Sequence, residues 1–121
     1  MKVLIIDDEE DTRSIASMSL SLLGGIDVVE AESGQEGIAK AEAEKPDAIL
    51  LDMMMPVMDG ENTLSALQKN SFTEKIPVIF LTAKAMSSEI ERLKRMGAKG
   101  VLTKPFDPTS LASQVKAILE A

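Results

Sequence analysis

Short, nearly continuous runs of Val, Ile and Leu recur along the chain at Val3 to Ile6, Ile26 to Val29, Ala48 to Leu51, Val78 to Leu81 and Val101 to Leu102. Runs of this length, apolar at successive positions rather than alternating, suit parallel strands buried on both faces. Between them the apolar residues fall at helical spacing, as in Ile15, Met18 and Leu22, in Met86, Ile90 and Leu93, and in Leu111, Val115 and Ile118. Each of these triplets is read as the buried face of a helix. Ser33 with Glu36 has the spacing of a capping box, and Asp107 before Pro108 reads as an N-cap followed by the first helical residue. Gly24 and Gly97 stand where helices should stop. The third helix, around Glu61 to Asn70, has the weakest pattern, because Asn62 and Thr63 are poor helix formers.

Strict alternation of strand and helix implies a doubly wound α/β sandwich, since right-handed crossovers place helices on both faces of a parallel sheet. The 121 residues suit one domain, read here as spanning 1–121, and no low-complexity linker divides them. No apolar run is long enough to span a bilayer, and no signal peptide precedes Asp7, so a cytoplasmic location is expected.

In an open parallel sheet, ligands bind beyond the carboxyl ends of the strands. The first predicted strand ends in Asp7-Asp8, the third in Asp52 and the fourth in Thr82, and the fifth is followed by Lys104-Pro105. Singly, each residue has an ordinary reading. Asp7 and Asp8 fit the acidic first turn of a helix, Thr82 a strand end or N-cap, and Lys104 a solvated surface lysine. Asp52 closes a buried apolar run, where a carboxylate needs a partner.

Together they point to chemistry. Carboxylates about 5 Å apart repel by roughly 3 kcal/mol per pair at an effective dielectric of about 20, more than one lysine can offset. With no Cys and no His in the chain, the donor set is oxygen only, which suits magnesium, or manganese, rather than a thiolate or imidazole metal. Asp8 and Asp52 are the expected direct ligands, with Asp7 reaching metal-bound water. An ionised Asp52 beside a cation and a lysine is a nucleophile for phosphoryl transfer that needs no general base. Lys104 would neutralise the equatorial oxygens and Thr82 would donate its hydroxyl to one of them, with small Ala83 leaving the approach open.

The net charge of -7 argues against nonspecific binding to a phosphate backbone, so nucleic acid is not expected as a direct partner. With three Phe and neither Trp nor Tyr, the surface lacks the usual aromatic anchors of tight interfaces.

From Lys2 to about Leu119 the chain resembles the receiver domains of two-component response regulators. The resemblance rests on Val3-Leu4-Ile5-Ile6-Asp7-Asp8, on Leu51-Asp52 leading into Met55-Pro56-Val57-Met58-Asp59-Gly60, on Leu81-Thr82-Ala83-Lys84, and on Gly97-Ala98-Lys99-Gly100 running into Lys104-Pro105-Phe106. It implies a flavodoxin-like sheet of five parallel strands in the order 2-1-3-4-5, with five helices on its two faces. It also implies that Asp52 accepts phosphate from a sensor histidine kinase or phosphotransfer protein docked near the first helix. The metal set would be Asp7, Asp8, Asp52 and the backbone carbonyl of Met54, with Thr82 and Lys104 on the phosphoryl group. Lys104-Pro105 would be cis, and Pro56 and Asp59-Gly60 would shape a turn after the acceptor. Met54 and Lys84 would overhang the site and tune hydrolysis. Such a protein acts on itself rather than on a separate substrate, passes its signal to an output protein or domain, and is a monomer or a weak phosphorylation-dependent dimer.

One position departs from the family pattern. Receivers commonly carry Tyr or Phe three residues before the lysine, and here Val101 stands there. A valine has no ring to swing inward, so the expected signal route is the loop after Thr82 and the face of the fourth helix. That helix mixes Glu89, Glu91, Arg92, Lys94 and Arg95, with Lys99 and Lys116 nearby, which fits either a solvated face or output contacts. Three other readings compete. A haloacid-dehalogenase-type phosphatase would place Asp where Met54 stands. A flavin-binding module would need a hydroxyl- and glycine-rich loop in place of Asp7-Asp8-Glu9-Glu10-Asp11. A degenerate receiver would keep the fold as a constitutive interaction module.

Overall fold

The computed structural model describes residues 1–83 and 86–121. In chain order the elements are β1 (Lys2–Ile6), α1 (Glu10–Met18), a π-helical turn (Ser19–Leu23), β2 (Asp27–Ala31), α2 (Gly34–Glu44), β3 (Ala48–Asp52), α3 (Gly60–Gln68), β4 (Val78–Thr82), α4 (Ser87–Arg95), β5 (Gly100–Thr103) and α5 (Leu111–Glu120). All strand pairs are parallel and the order across the sheet is β2-β1-β3-β4-β5. The expected fold is therefore found, with each strand within about two residues of its apolar run.

The pleat sends alternate strand residues to opposite faces. Val3, Ile5, Leu50, Ile79 and Leu81 pack with Ala16, Leu20, Leu111 and Val115 from α1, the turn after it, and α5. Leu4, Ile6, Ile49, Leu51 and Phe80 pack with Ala41, Leu64, Leu67 and Leu93 from α2, α3 and α4. Every residue of β3 and β4 is buried, as continuous apolar runs require.

Four sequence expectations need correction. Met86 is not on the buried face of the fourth helix: it is the N-cap of α4 and 67% exposed. Ile15, Met18 and Leu22 are not the buried face of the first helix, for they are 47%, 60% and 76% exposed. The helix turns Ala16, Ser19 and Leu20 inward instead, and Leu23 lies outside with the exposed stripe. Two apolar stripes share this helix, and the one with the larger residues faces water. Asp107 does not cap α5 directly. Its carboxylate accepts from the Thr109 N–H (2.9 Å) and hydroxyl (2.7 Å), closing a turn, and Ser110 is the N-cap. Asp59-Gly60 is a helix start rather than a plain turn: Asp59 Oδ1 accepts from the Asn62 N–H at 2.9 Å as the N-cap of α3.

The cap at Ser33 is as read, its hydroxyl accepting from the Glu36 N–H at 3.1 Å, while Glu36 reaches back to the Glu32 N–H at 2.8 Å, one residue beyond the usual partner. Between β3 and α3 the Met58 N–H closes a three-residue turn on the Pro56 carbonyl at 2.7 Å. This puts the fully exposed Val57 at φ +68°, a conformation a β-branched residue adopts only under local strain.

Candidate functional site

The register of the sheet brings the chemistry to one edge. Asp52 pairs with Leu81, Thr82 with Thr103, and Ile6 with Leu51, so β1, β3, β4 and β5 end side by side. Asp7 follows β1 directly, its N–H bonded to the Ala31 carbonyl at 3.1 Å. Lys104 follows β5, its N–H bonded to the Thr82 carbonyl at 2.8 Å, and the Lys104-Pro105 peptide is cis as the resemblance implies.

Asp7, Asp52 and Thr82 are buried, whereas Asp8 is exposed. One ligand oxygen from each of Asp7, Asp8 and Asp52 lies within 4.8 Å of the others. Lys104 Nζ stands 3.0 Å from Asp7 Oδ2, 3.0 Å from Asp52 Oδ1 and 3.5 Å from Glu9 Oε1. Asp52 Oδ1 also takes the Met54 N–H at 3.4 Å. Asp7 Oδ1 accepts the Glu9 N–H at 2.9 Å, but Asp7 Oδ2, fully buried, lies at ion-pair distance from Lys104 without a well-directed hydrogen bond.

Burial pushes the Asp52 carboxyl up to about 6, with the negative Asp7 adding to the rise and the hydrogen bond and charge of Lys104 opposing it. Burial disfavours the Lys104 ammonium, yet the hydrogen bond to Asp52 and the close negative charges of Asp52 and Asp7 outweigh that and hold it above the ordinary lysine value. The site thus carries an excess of negative charge that one lysine does not neutralise. A hard divalent cation fits the oxygen-only donors and the under-satisfied Asp7 Oδ2.

The sequence-predicted residues Asp7, Asp8, Asp52, Thr82 and Lys104 therefore converge at the same strand ends. Met54 sits two residues past Asp52 with its side chain 79% exposed, and Lys84 lies outside the described residues. Two contributors were not foreseen. Glu9 joins the lysine, and Arg13 donates to the Asp7 carbonyl at 2.8 Å. Glu9 adjoins the acidic pair and could have been suspected; Arg13 gave no signal, because its partner there is a main-chain oxygen.

The model of the response regulator receiver domain matches residues 3–116. The chain belongs to this receiver family. Among relatives of this receiver, the alkaline phosphatase synthesis transcriptional regulatory protein PhoP of Bacillus subtilis is 38% identical over 118 residues, 98% of this chain and 48% of PhoP. Protein PilH of Pseudomonas aeruginosa is 36% identical over 98% of this chain and 97% of PilH. The receiver thus spans about half of PhoP and nearly all of PilH. Among solved structures, chemotaxis response regulator CheY4 of Vibrio cholerae superposes with a TM-score of 0.89 at 33% identity, over 97% of both chains. Receivers are the signalling modules of two-component systems; they work with histidine kinases or phosphotransfer proteins and with output domains, and use Mg2+ at this acidic site. Among the described residues, no helix is long and apolar enough to cross a membrane.

Proposed function

We propose that this receiver is a phosphoacceptor switch with Asp52 as the nucleophile. The observation that carries this reading is the meeting of Asp7, Asp8 and Asp52 within 4.8 Å, with Lys104 Nζ 3.0 Å from the acceptor. An Asp52 oxygen attacks the phosphorus of a phosphohistidine on a sensor kinase or phosphotransfer protein. The P–N bond breaks, the imidazole leaves and takes up a proton, and an aspartyl phosphate remains. Asp7, Asp8, Asp52 and the Met54 carbonyl would hold Mg2+, or Mn2+, which when bound neutralises phosphoryl charge. Lys104 then turns from Asp52 to a phosphoryl oxygen, and the Thr82 hydroxyl donates to another. No residue here is needed as a base, because Asp52 reacts ionised.

The protein acts on itself rather than as an enzyme on other substrates. It works in the cytoplasm, as a monomer or a weak phosphorylation-dependent dimer, and passes its state to an output protein or domain without touching nucleic acid directly. Val101 is partly buried against the cluster that includes Leu93 of α4. With no aromatic ring there, the signal runs through the loop after Thr82 and α4; a phosphorylated structure with that loop unmoved would overturn this route.

The test is intact mass after incubation with Mg2+ and acetyl phosphate, beside Asp52→Asn. A gain of one phosphoryl group that needs both the metal and Asp52 supports the switch. A folded protein that gains none from any small donor is a constitutive interaction module instead.

A further inference from the structure

The carbonyl of Asp7 is held by a side chain that the proposed chemistry leaves unused. Arg13, on the first turn of α1, is largely buried, its side chain 14% exposed. Its Nη1 donates to the Asp7 carbonyl at 2.8 Å and its Nε to Glu30 Oε1 at 3.1 Å. Glu30 is the penultimate residue of β2, and its own carbonyl is tied down by the Lys40 ammonium. The last residue of β2, Ala31, takes the Asp7 N–H. The end of β2 therefore grips Asp7 from both sides, directly through Ala31 and through Arg13 on the other.

This grip acts where it matters most. Asp7 and Asp8 lie past the last paired residue of β1, so the course of the main chain that carries their carboxylates depends on how the Asp7 peptide is anchored, beside the Glu9 N–H and Lys104 that meet the Asp7 carboxylate itself. Moving a ligand out of place by a fraction of an ångström weakens a hard-cation site, whose geometry is fixed by oxygen positions.

We propose that Arg13 is a positioning residue for the acidic pair, setting the affinity of the site for the divalent cation. The inference rests on the reading of Asp7, Asp8 and Asp52 as the cation site, and it needs the arginine fork rather than its charge. A lysine can reach one acceptor, but it cannot span the Asp7 carbonyl and Glu30 as a rigid planar pair.

The experiment titrates MgCl2 into the whole chain and follows the amide signals around Asp7, Asp8 and Asp52 by NMR, alongside phosphoryl uptake from acetyl phosphate. Arg13→Met should raise the magnesium concentration for half-saturation about tenfold, the usual scale for losing a group that orients a metal ligand. Arg13→Lys should fall between Arg13→Met and the parent. Uptake by Arg13→Met should recover toward the parent rate as magnesium is raised. Val115→Ala, which hollows the core cluster beneath α5, to which neither Arg13 nor the acidic residues belong, should lower stability and leave the half-saturation point unchanged. If Arg13→Met does not fold, Glu30→Ala loosens the same fork, and a rise of about two- to threefold is expected.

The proposal is overturned if Arg13→Met, or Glu30→Ala in its place, saturates with magnesium like the parent, or if Val115→Ala shifts as far. A parent that shows no magnesium saturation overturns it as well. A parent that binds magnesium but takes no phosphoryl group removes the phosphoacceptor reading and leaves the role of Arg13 standing.

Discussion

Lys104 Nζ stands 3.0 Å from Asp52 Oδ1, bridging 52 positions of sequence at the ends of β5 and β3. The pair is unequal, because burial lifts the Asp52 carboxyl to about 6 in spite of the lysine. In the metal-free folded chain Asp52 keeps its proton up to about pH 6, whereas unfolded it would ionise near 3.8. Between those values the folded state holds the extra proton, so this group makes stability fall as pH rises from about 4 to about 6. Thermal or urea unfolding in EDTA should show Asp52→Asn more stable than the parent by about 2 kcal/mol at pH 7, with the gain shrinking toward pH 4. Equal stability of the two proteins across that range would mean the Asp52 carboxylate is not strained by burial.

Gly60 sits so close to the end of β3 that a Cβ would lie 2.5 Å from the Asp52 carbonyl oxygen and 2.8 Å from Met53 Cα. Both neighbours are main chain and cannot swing away. Gly60→Ala is expected to lower stability by about 2–3 kcal/mol and to slow phosphoryl uptake even at saturating Mg2+, since the carboxylate moves with its backbone. Chemical denaturation and the mass assay read the two effects separately.

Val57 should be the reverse case. Its left-handed backbone costs roughly 1–2 kcal/mol, and its side chain is fully exposed. Val57→Gly should remove that cost, less the entropy that glycine loses on folding, for a net gain of roughly 0.5–1 kcal/mol. A lower midpoint of thermal unfolding for Val57→Gly would show that the side chain has contacts outweighing the strain.

The π-helical turn that continues α1 offers a paired test. Leu20 is fully buried and Leu22 is 76% exposed. Leu20→Ala should cost about 2–4 kcal/mol, whereas Leu22→Ser should stay within about 0.5 kcal/mol of the parent. Comparable losses at both positions would restore the buried role that spacing alone assigns to Leu22.

That pair also shows where the sequence is legible and where it is not. The strands can be read because a residue buried on both faces must be apolar at every step, and β3 and β4 obey this throughout. The helix is ambiguous because close packing on the sheet favours small Ala16 and Ser19 inside, while larger Ile15 and Met18 remain outside and dominate the period. The acidic cluster is legible because the pair Asp7-Asp8 and the single Asp52 each follow directly on an apolar run. What holds the cluster is not: Arg13 and Glu30 are 17 positions apart, and the Asp7 carbonyl they serve exists at every residue of any chain.

The place of β1 in the sheet also bears on how the chain is made. β1 precedes the other four strands of the sheet in sequence, yet it lies in the interior, with β2 on one side and β3 on the other. Its hydrogen bonds are incomplete until residues 48–52 have emerged from the ribosome. Until then Val3 to Ile6 stay an unfinished apolar ribbon. The growing chain therefore passes through a stage, before β3 is available, in which an apolar strand edge of β1 is open to pairing with other chains.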